Sequence, residues 1–151
     1  MATKIQTYAQ LAEDTAKGLT RSLEDWTGFL NTVGRLYKYP YHEQLMIYAQ
    51  RPDARACAEY DLWNNTMNRY VRRGSKGIAL LDTTADIPRL RYVFDVSDTG
   101  GRENSRYPYL WDMKEDHKEP ILDMLKGKYG SEDNNLFDAF YKIARNMSRE
   151  Y

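Results

Sequence analysis

The hydrophobic period of this chain changes twice, and those changes constrain the fold more than any single motif. Up to Gln50 apolar residues recur at helical spacing. At Asn68 the pattern turns into the alternating or continuous apolar runs of strands, and beyond Lys118 the helical spacing returns. Helices and strands grouped in blocks, not alternating one by one, predict an α+β fold. The expected form is a helical hairpin and C-terminal helices packed on a small, mainly antiparallel sheet. With 151 residues the chain is long enough to bury a core without disulfides or structural metal, and no repeat or Pro/Ser linker divides it. A single domain over residues 1–151 is therefore expected.

Local signals place the elements. Ile5, Tyr8, Leu11 and Ala12 predict a mostly polar helix over residues 5–17, broken at Gly18. Leu23, Trp26, Phe29, Leu30, Val33, Leu36 and Tyr37 form a wide apolar stripe over residues 22–38, with Ser22 and Asp25 as an N-terminal capping pair. After Pro40 a helix over Glu43–Gln50 runs until Arg51-Pro52 stops it, and the short Tyr/Pro corner predicts a helical hairpin. Residues 54–58 read as a short strand or an irregular lead-in, and Glu59–Met67 as a short helix carrying Leu62 and Trp63.

Arg69–Arg73 and Ile78–Leu81 then read as two strands joined by the turn Gly74-Ser75-Lys76-Gly77, a β-hairpin with a basic tip. Leu90–Val96 is a third strand, with Leu90, Tyr92, Phe94 and Val96 on one face and Arg91 and Asp95 on the other. The composition of residues 97–104 is that of an exposed, flexible loop. Helices are expected over residues 118–126 and 135–150, separated by a break at Gly127–Gly130; residues 105–151 form a helical C-terminal extension.

The 22 basic and 22 acidic side chains cancel, which excludes a uniformly basic coat but hides a gradient. Residues 51–92 carry eight basic against five acidic groups, and residues 93–151 nine against twelve. From Thr66 to Leu81 there are four cations, Arg69, Arg72, Arg73 and Lys76, and no acid. If Val71 points inward, Tyr70 and Arg72 share the solvent side of their strand, an aromatic and a cation beside a Lys-bearing glycine turn. That combination can stack a base and grip phosphates. Its bland alternative is a solvated strand pair with ordinary surface charge. Thirteen Tyr, several beside Pro or charged residues, imply that some aromatic rings line a binding surface.

Other chemistries find little support. The glycine turn lacks the Gly-x-x-x-x-Gly-Lys-Ser/Thr spacing of a phosphate loop, and His42-Glu43 is not followed by the His-Glu-x-x-His pattern of a zinc protease. Asp95 with Asp98, and Asp112 with Glu115 and Asp116, read as loop and helix-start acids, not as acid/base pairs or a magnesium site. Cys57 is the lone cysteine and reads as a small buried thiol. No catalytic constellation, cofactor or metal is expected. No apolar run reaches the ~20 residues that span a bilayer, so no membrane association is expected and the expected compartment is the cytoplasm.

Trp26-Thr-Gly-Phe-Leu-Asn, Tyr41-His-Glu-Gln-Leu-Met-Ile-Tyr-Ala-Gln-Arg-Pro52, Ala58-Glu-Tyr-Asp-Leu-Trp63 and Tyr70-Val-Arg-Arg-Gly-Ser-Lys-Gly-Ile-Ala-Leu-Leu81 follow one another in an order that resembles the N-terminal domain of the antirestriction protein ArdC and the LtrC-like proteins of conjugative elements. The resemblance covers about residues 20–96 and includes Trp63 and Val71–Gly77; residues 100–151 match nothing in it. It implies a non-catalytic, largely sequence-independent single-stranded DNA-binding module of a mobile-element protein. Other domains of a parent polypeptide, of helicase, methylase or protease-like type, are possible further partners. Arg69, Arg72, Arg73 and Lys76 would then neutralise phosphates, while Tyr70 and Trp63 stack bases. A protein-interaction or scaffold domain using its Tyr-rich surfaces is the alternative.

Overall fold

The computed structural model describes all residues except 111, 131 and 151. The fold is α+β, and the chain divides into two compact units, Met1–Trp111 and Asp112–Tyr151.

The first unit opens with three helices, the first two started by side-chain caps and the third by Pro40. In α1 (Lys4–Leu19) the Thr3 hydroxyl accepts from the Gln6 amide while the Gln6 side chain accepts from the Thr3 amide, a reciprocal capping box. In α2 (Leu23–Arg35) the Ser22 hydroxyl accepts from the Asp25 amide at 3.0 Å, as the spacing predicts. Next, α3 (Tyr41–Gln50) follows Pro40 and buries five successive residues, Glu43 to Ile47, because α1, α2 and the sheet surround it. The hairpin of α2 and α3 is present, tied at its corner by the Gln44 side-chain amide donating to the Leu36 carbonyl.

Two small antiparallel sheets follow. One has the order β1 (Cys57–Ala58), β4 (Arg89–Asp95), β3 (Ile78–Asp82); the other pairs β2 (Arg69–Val71) with β5 (Thr99–Gly101). Leu36, Met46, Ile47, Ala54, Ile78, Leu80 and Val93 form the main core between α3 and the larger sheet, and Leu19, Phe29 and Leu45 close a second cluster among the helices.

The expected hairpin of residues 69–81 does not form. The hairpin is instead β3–β4, with Ile78 opposite Val93 and Asp82 opposite Arg89, while β2 pairs with residues 99–101. The cause is local to Ala79. Gln50 at the end of α3 donates its side-chain amide to the Ala79 carbonyl at 2.8 Å and accepts from the Ala79 N–H at 2.9 Å. A side chain thus takes the backbone groups on the strand edge that β2 would have used.

Two further expectations are corrected and one, the short helix after β1, is refined. Of residues 97–104 only 102–104 form an exposed loop. Val96–Asp98 is a 3₁₀ turn, β5 follows it, and Thr99 is buried. The expected helix at Glu59–Met67 is present over residues 60–66, wound as π-helix from Leu62 to Thr66. In β4 the residues alternate as expected, but the deeply buried residues Val93 and Asp95 lie on the face that carries the charges. Charged groups enter an interior when they are paired. Arg91 bridges Glu43 and Glu59. The Asp95 carboxylate accepts from the Arg55, Ala56 and Ser97 amides and from the Ser97 hydroxyl. Burial alone would raise the Asp95 pKa, yet these donors outweigh it and hold the group below the ordinary carboxylate value.

The second unit contains α4 (Lys118–Tyr129), ended by Gly130 in the left-handed conformation at φ 67°, and α5 (Leu136–Glu150). Leu122, Leu125 and Ala139 form its core, and Lys142 pairs with Asp133. Among the described residues no helix is long and apolar enough to cross a membrane.

Candidate nucleic-acid interface

The β2–β5 ribbon gathers the cationic residues of the middle of the chain. It begins at Asn68, whose positive φ of 51° suits asparagine and whose side-chain amide donates to the Glu103 carbonyl at 2.7 Å. The ladder then places Arg69 opposite Gly101, Tyr70 opposite Gly100 and Val71 opposite Thr99, and two further amides, Arg102 to Asn68 and Arg106 to Met67, extend it. Arg102 and Arg106 thereby join Arg69 and Arg72 around one short ribbon.

Tyr70 occupies the middle of β2, 44% exposed. The outer end of its ring lies over Gly100, where a Cβ would stand 2.4 Å from Tyr70 Cζ, so this packing requires glycine. The Arg102 guanidinium lies 5.8 Å from the ring centroid and donates to the Asn64 side-chain carbonyl at 2.7 Å. On the same ribbon Arg69 donates to the Thr99 hydroxyl at 2.8 Å, with its guanidinium 5.3 Å from the centre of the Tyr107 ring. Two tyrosine–arginine pairs therefore stand on the ribbon, each arginine oriented by a polar partner.

Arg72 donates to the Ser97 carbonyl at 3.0 Å, and its amide to that of Asp98 at 2.8 Å. Arg51 holds those acceptors in place through Asp98 and the Ser97 hydroxyl, which also neutralises the Asp98 carboxylate. The turn that follows bends at Gly74, with φ 85°, and carries Arg73 and Lys76. Both are exposed, and neither forms a salt bridge among the described residues.

Five of the six residues expected at the site, Arg69, Tyr70, Arg72, Arg73 and Lys76, thus lie on β2 and its turn. Trp63 does not serve as a stacking residue. It is 1% exposed, and its indole N–H donates to the Phe94 carbonyl at 2.9 Å, so it anchors the π turn to β4 and no base can reach its face. Sequence reasoning missed Arg102, Arg106 and the placement of Tyr107 beside Arg69, because Thr99-Gly100-Gly101 has the composition of a loop. The available signal was a Gly-Gly pair, the cross-strand complement that a large aromatic needs in a narrow ribbon.

A cavity of about 370 Å³ between α3 and the β3–β4 connection offers less chemistry. Its Arg91 is held by Glu43 and Glu59, and its Asp82 by Thr84 and Arg89, which keep that carboxyl down at about 2. Burial pushes the Cys57 thiol up, away from the thiolate form that nucleophilic chemistry uses.

Comparison of the chain with protein-family models, with curated proteins and with solved structures finds no match.

Proposed function

We propose that the β2–β5 ribbon binds single-stranded DNA without catalysing a reaction and largely without sequence preference. The observation that carries this reading is one juxtaposition: on the exposed face of β2 the Tyr70 ring stands beside the Arg102 guanidinium with Arg72 two residues on, exposed Arg73 and Lys76 follow in the turn, and the half-buried Asp98 is paired with Arg51, while Arg69 and Tyr107 form a second pair on the opposite face. Cations that follow a phosphate backbone, interleaved with rings on which bases stack, are the working parts of sequence-tolerant single-strand binding. The resemblance of residues 20–96 to the ArdC and LtrC-like domains supports the same reading and extends it to a module of a mobile-element protein.

The test is fluorescence anisotropy of a labelled single-stranded oligonucleotide across a salt series. Four to six phosphate contacts give a slope of log K against log salt of about −3 to −4. Replacing Arg72, Arg73 and Lys76 together by Ala should flatten that slope by about 2 and weaken binding at low salt. Absent binding at low salt, or unchanged affinity in the triple variant, refutes the proposal. A protein-docking role has its own observation: Leu23, Trp26 and Leu30 stand exposed along the outer side of α2. Binding through those residues would respond weakly to salt.

A further inference from the structure

Arg102 brings more to the ribbon than a charge. Its amide donates to the Asn68 carbonyl, so it continues the ladder diagonally to Tyr70, and its guanidinium carbon stands 5.8 Å from the centre of the Tyr70 ring. Flat groups in face-to-face contact lie about 3.5–4.0 Å apart. The guanidinium therefore does not fill the ring face but approaches from its side, where the edge of a stacked base would come. Arg102 is exposed and makes no salt bridge among the described residues. Its orientation is set by a short chain of amides: Arg102 Nη2 donates to Asn64 Oδ1 at 2.7 Å, and Asn64 Nδ2 donates to Asn65 Oδ1 at 3.0 Å. We infer that Arg102 reads the base stacked on Tyr70 and selects guanine at that one position of an otherwise sequence-tolerant strand. This rests on the DNA reading above and adds a specificity-determining residue to it.

The selection follows from which hydrogen-bonding groups remain. A guanidinium has donors only, and two of its edges each carry a pair of parallel N–H bonds, Nε with Nη2 and Nη1 with Nη2. Nη2 contributes one hydrogen to each pair, and the Asn64 oxygen takes one of them. One complete fork is left, already turned by Asn64, and it is satisfied by two acceptors lying side by side. Guanine presents such a pair in O6 and N7. Adenine and thymine set an N–H donor beside the acceptors of their hydrogen-bonding edges, which opposes a fork of donors. Cytosine has adjacent acceptors in N3 and O2, but its single ring covers less of the tyrosine than a purine does. Bases splayed out of a single strand are open to reading along these edges while they stack.

The experiment is anisotropy at low salt with a labelled thymidine heptanucleotide and with the same strand carrying guanine, adenine, cytosine or 7-deazaguanine at its centre. Guanine should bind about 5- to 20-fold tighter than thymine, the lower part of what a bidentate pair discriminates. The 7-deaza base keeps the stacking surface but lacks the N7 acceptor, and should lose most of that gain. Arg102→Lys keeps the charge without the fork, so affinity for the all-thymidine strand should hold within about twofold while the guanine preference disappears. That retained affinity also reports an intact fold. Asn64→Ala frees the guanidinium to turn and should narrow the preference with the salt slope unchanged. Equal affinity for all the strands, a preference for cytosine, or a guanine preference that survives Arg102→Lys overturns the inference and leaves the DNA reading standing. Failure of every strand to bind at low salt overturns both.

Discussion

Replacing Gly100 by alanine separates the stacking platform from the charge around it. The new Cβ would stand 2.4 Å from Tyr70 Cζ, 2.5 Å from its hydroxyl oxygen and 2.9 Å from Cε1, far inside the roughly 3.5–4.0 Å at which carbon atoms rest. Gly100 is not in the left-handed region, so its backbone accepts alanine and the ring must yield. The ring can do so, because Tyr70 is half-exposed. Stability should therefore change by less than about 1 kcal/mol, the lost contact offset by the smaller entropy of the unfolded chain. Binding should change more. A base on an aromatic ring contributes about 1–3 kcal/mol, or roughly 5- to 150-fold in affinity. Displacing the ring without deleting it should take the lower part of that range, about 5- to 20-fold. Anisotropy at fixed low salt gives the affinity, and thermal unfolding followed by circular dichroism shows that the fold is intact. The same substitution in a Tyr70→Ala background should then have little further effect. Wild-type affinity in Gly100→Ala, or additive losses in the double variant, would refute the stacking role of Tyr70.

Three other outcomes follow from the packing. Trp63→Phe removes the buried indole donor to Phe94 and should cost about 1–3 kcal/mol of stability while leaving the DNA affinity of the folded fraction unchanged; a loss of affinity at full folding would return Trp63 to the interface. Gln50→Ala strips both partners from Ala79 and should cost about 2–4 kcal/mol, measured by urea unfolding. Asp95 makes stability pH-dependent with a defined sign: its folded pKa is depressed, so its contribution is complete above the unfolded value of about 3.9 and is lost as pH falls through the lower folded value. Asp95→Asn should destabilise at neutral pH and flatten the acid limb of the stability curve, and an unaltered acid limb would contradict the assignment.

The helices were legible because their determinants are local. Ser22 caps three residues before Asp25, whereas the apolar stripe of α2 overstates its buried side: Phe29 is buried but Leu23, Trp26, Leu30 and Tyr37 stand exposed. Individual strands were legible for the same reason, but their pairing was not. Whether Ile78–Asp82 receives β2 on its free edge is decided by Gln50, a residue 29 positions away whose polar side chain gives no such sign. In β4 the alternation was plain, but reading the apolar members as the inward face overlooked that Arg91 and Asp95 would find full sets of partners. At the candidate site the cations of one strand could be read from their charge. Those that follow the other strand stayed hidden behind two glycines, which say loop when alone; only with Tyr70 across Gly100 does the pair read as a strand.

The amide bracket that Gln50 places on Ala79 also bears on how the protein behaves in a crowd. As the outer strand of its sheet, β3 runs through Ile78, Ala79, Leu80 and Leu81, apolar and free of charge until Asp82. Such a stretch is a template on which another chain can add itself strand by strand, the first step toward fibrils. Here the donor and acceptor of Ala79 are already engaged, and an incoming strand must first displace the Gln50 side chain. Loss of Gln50 should therefore show itself as turbidity and thioflavin-positive aggregates on mild warming, below the temperature at which the helices melt.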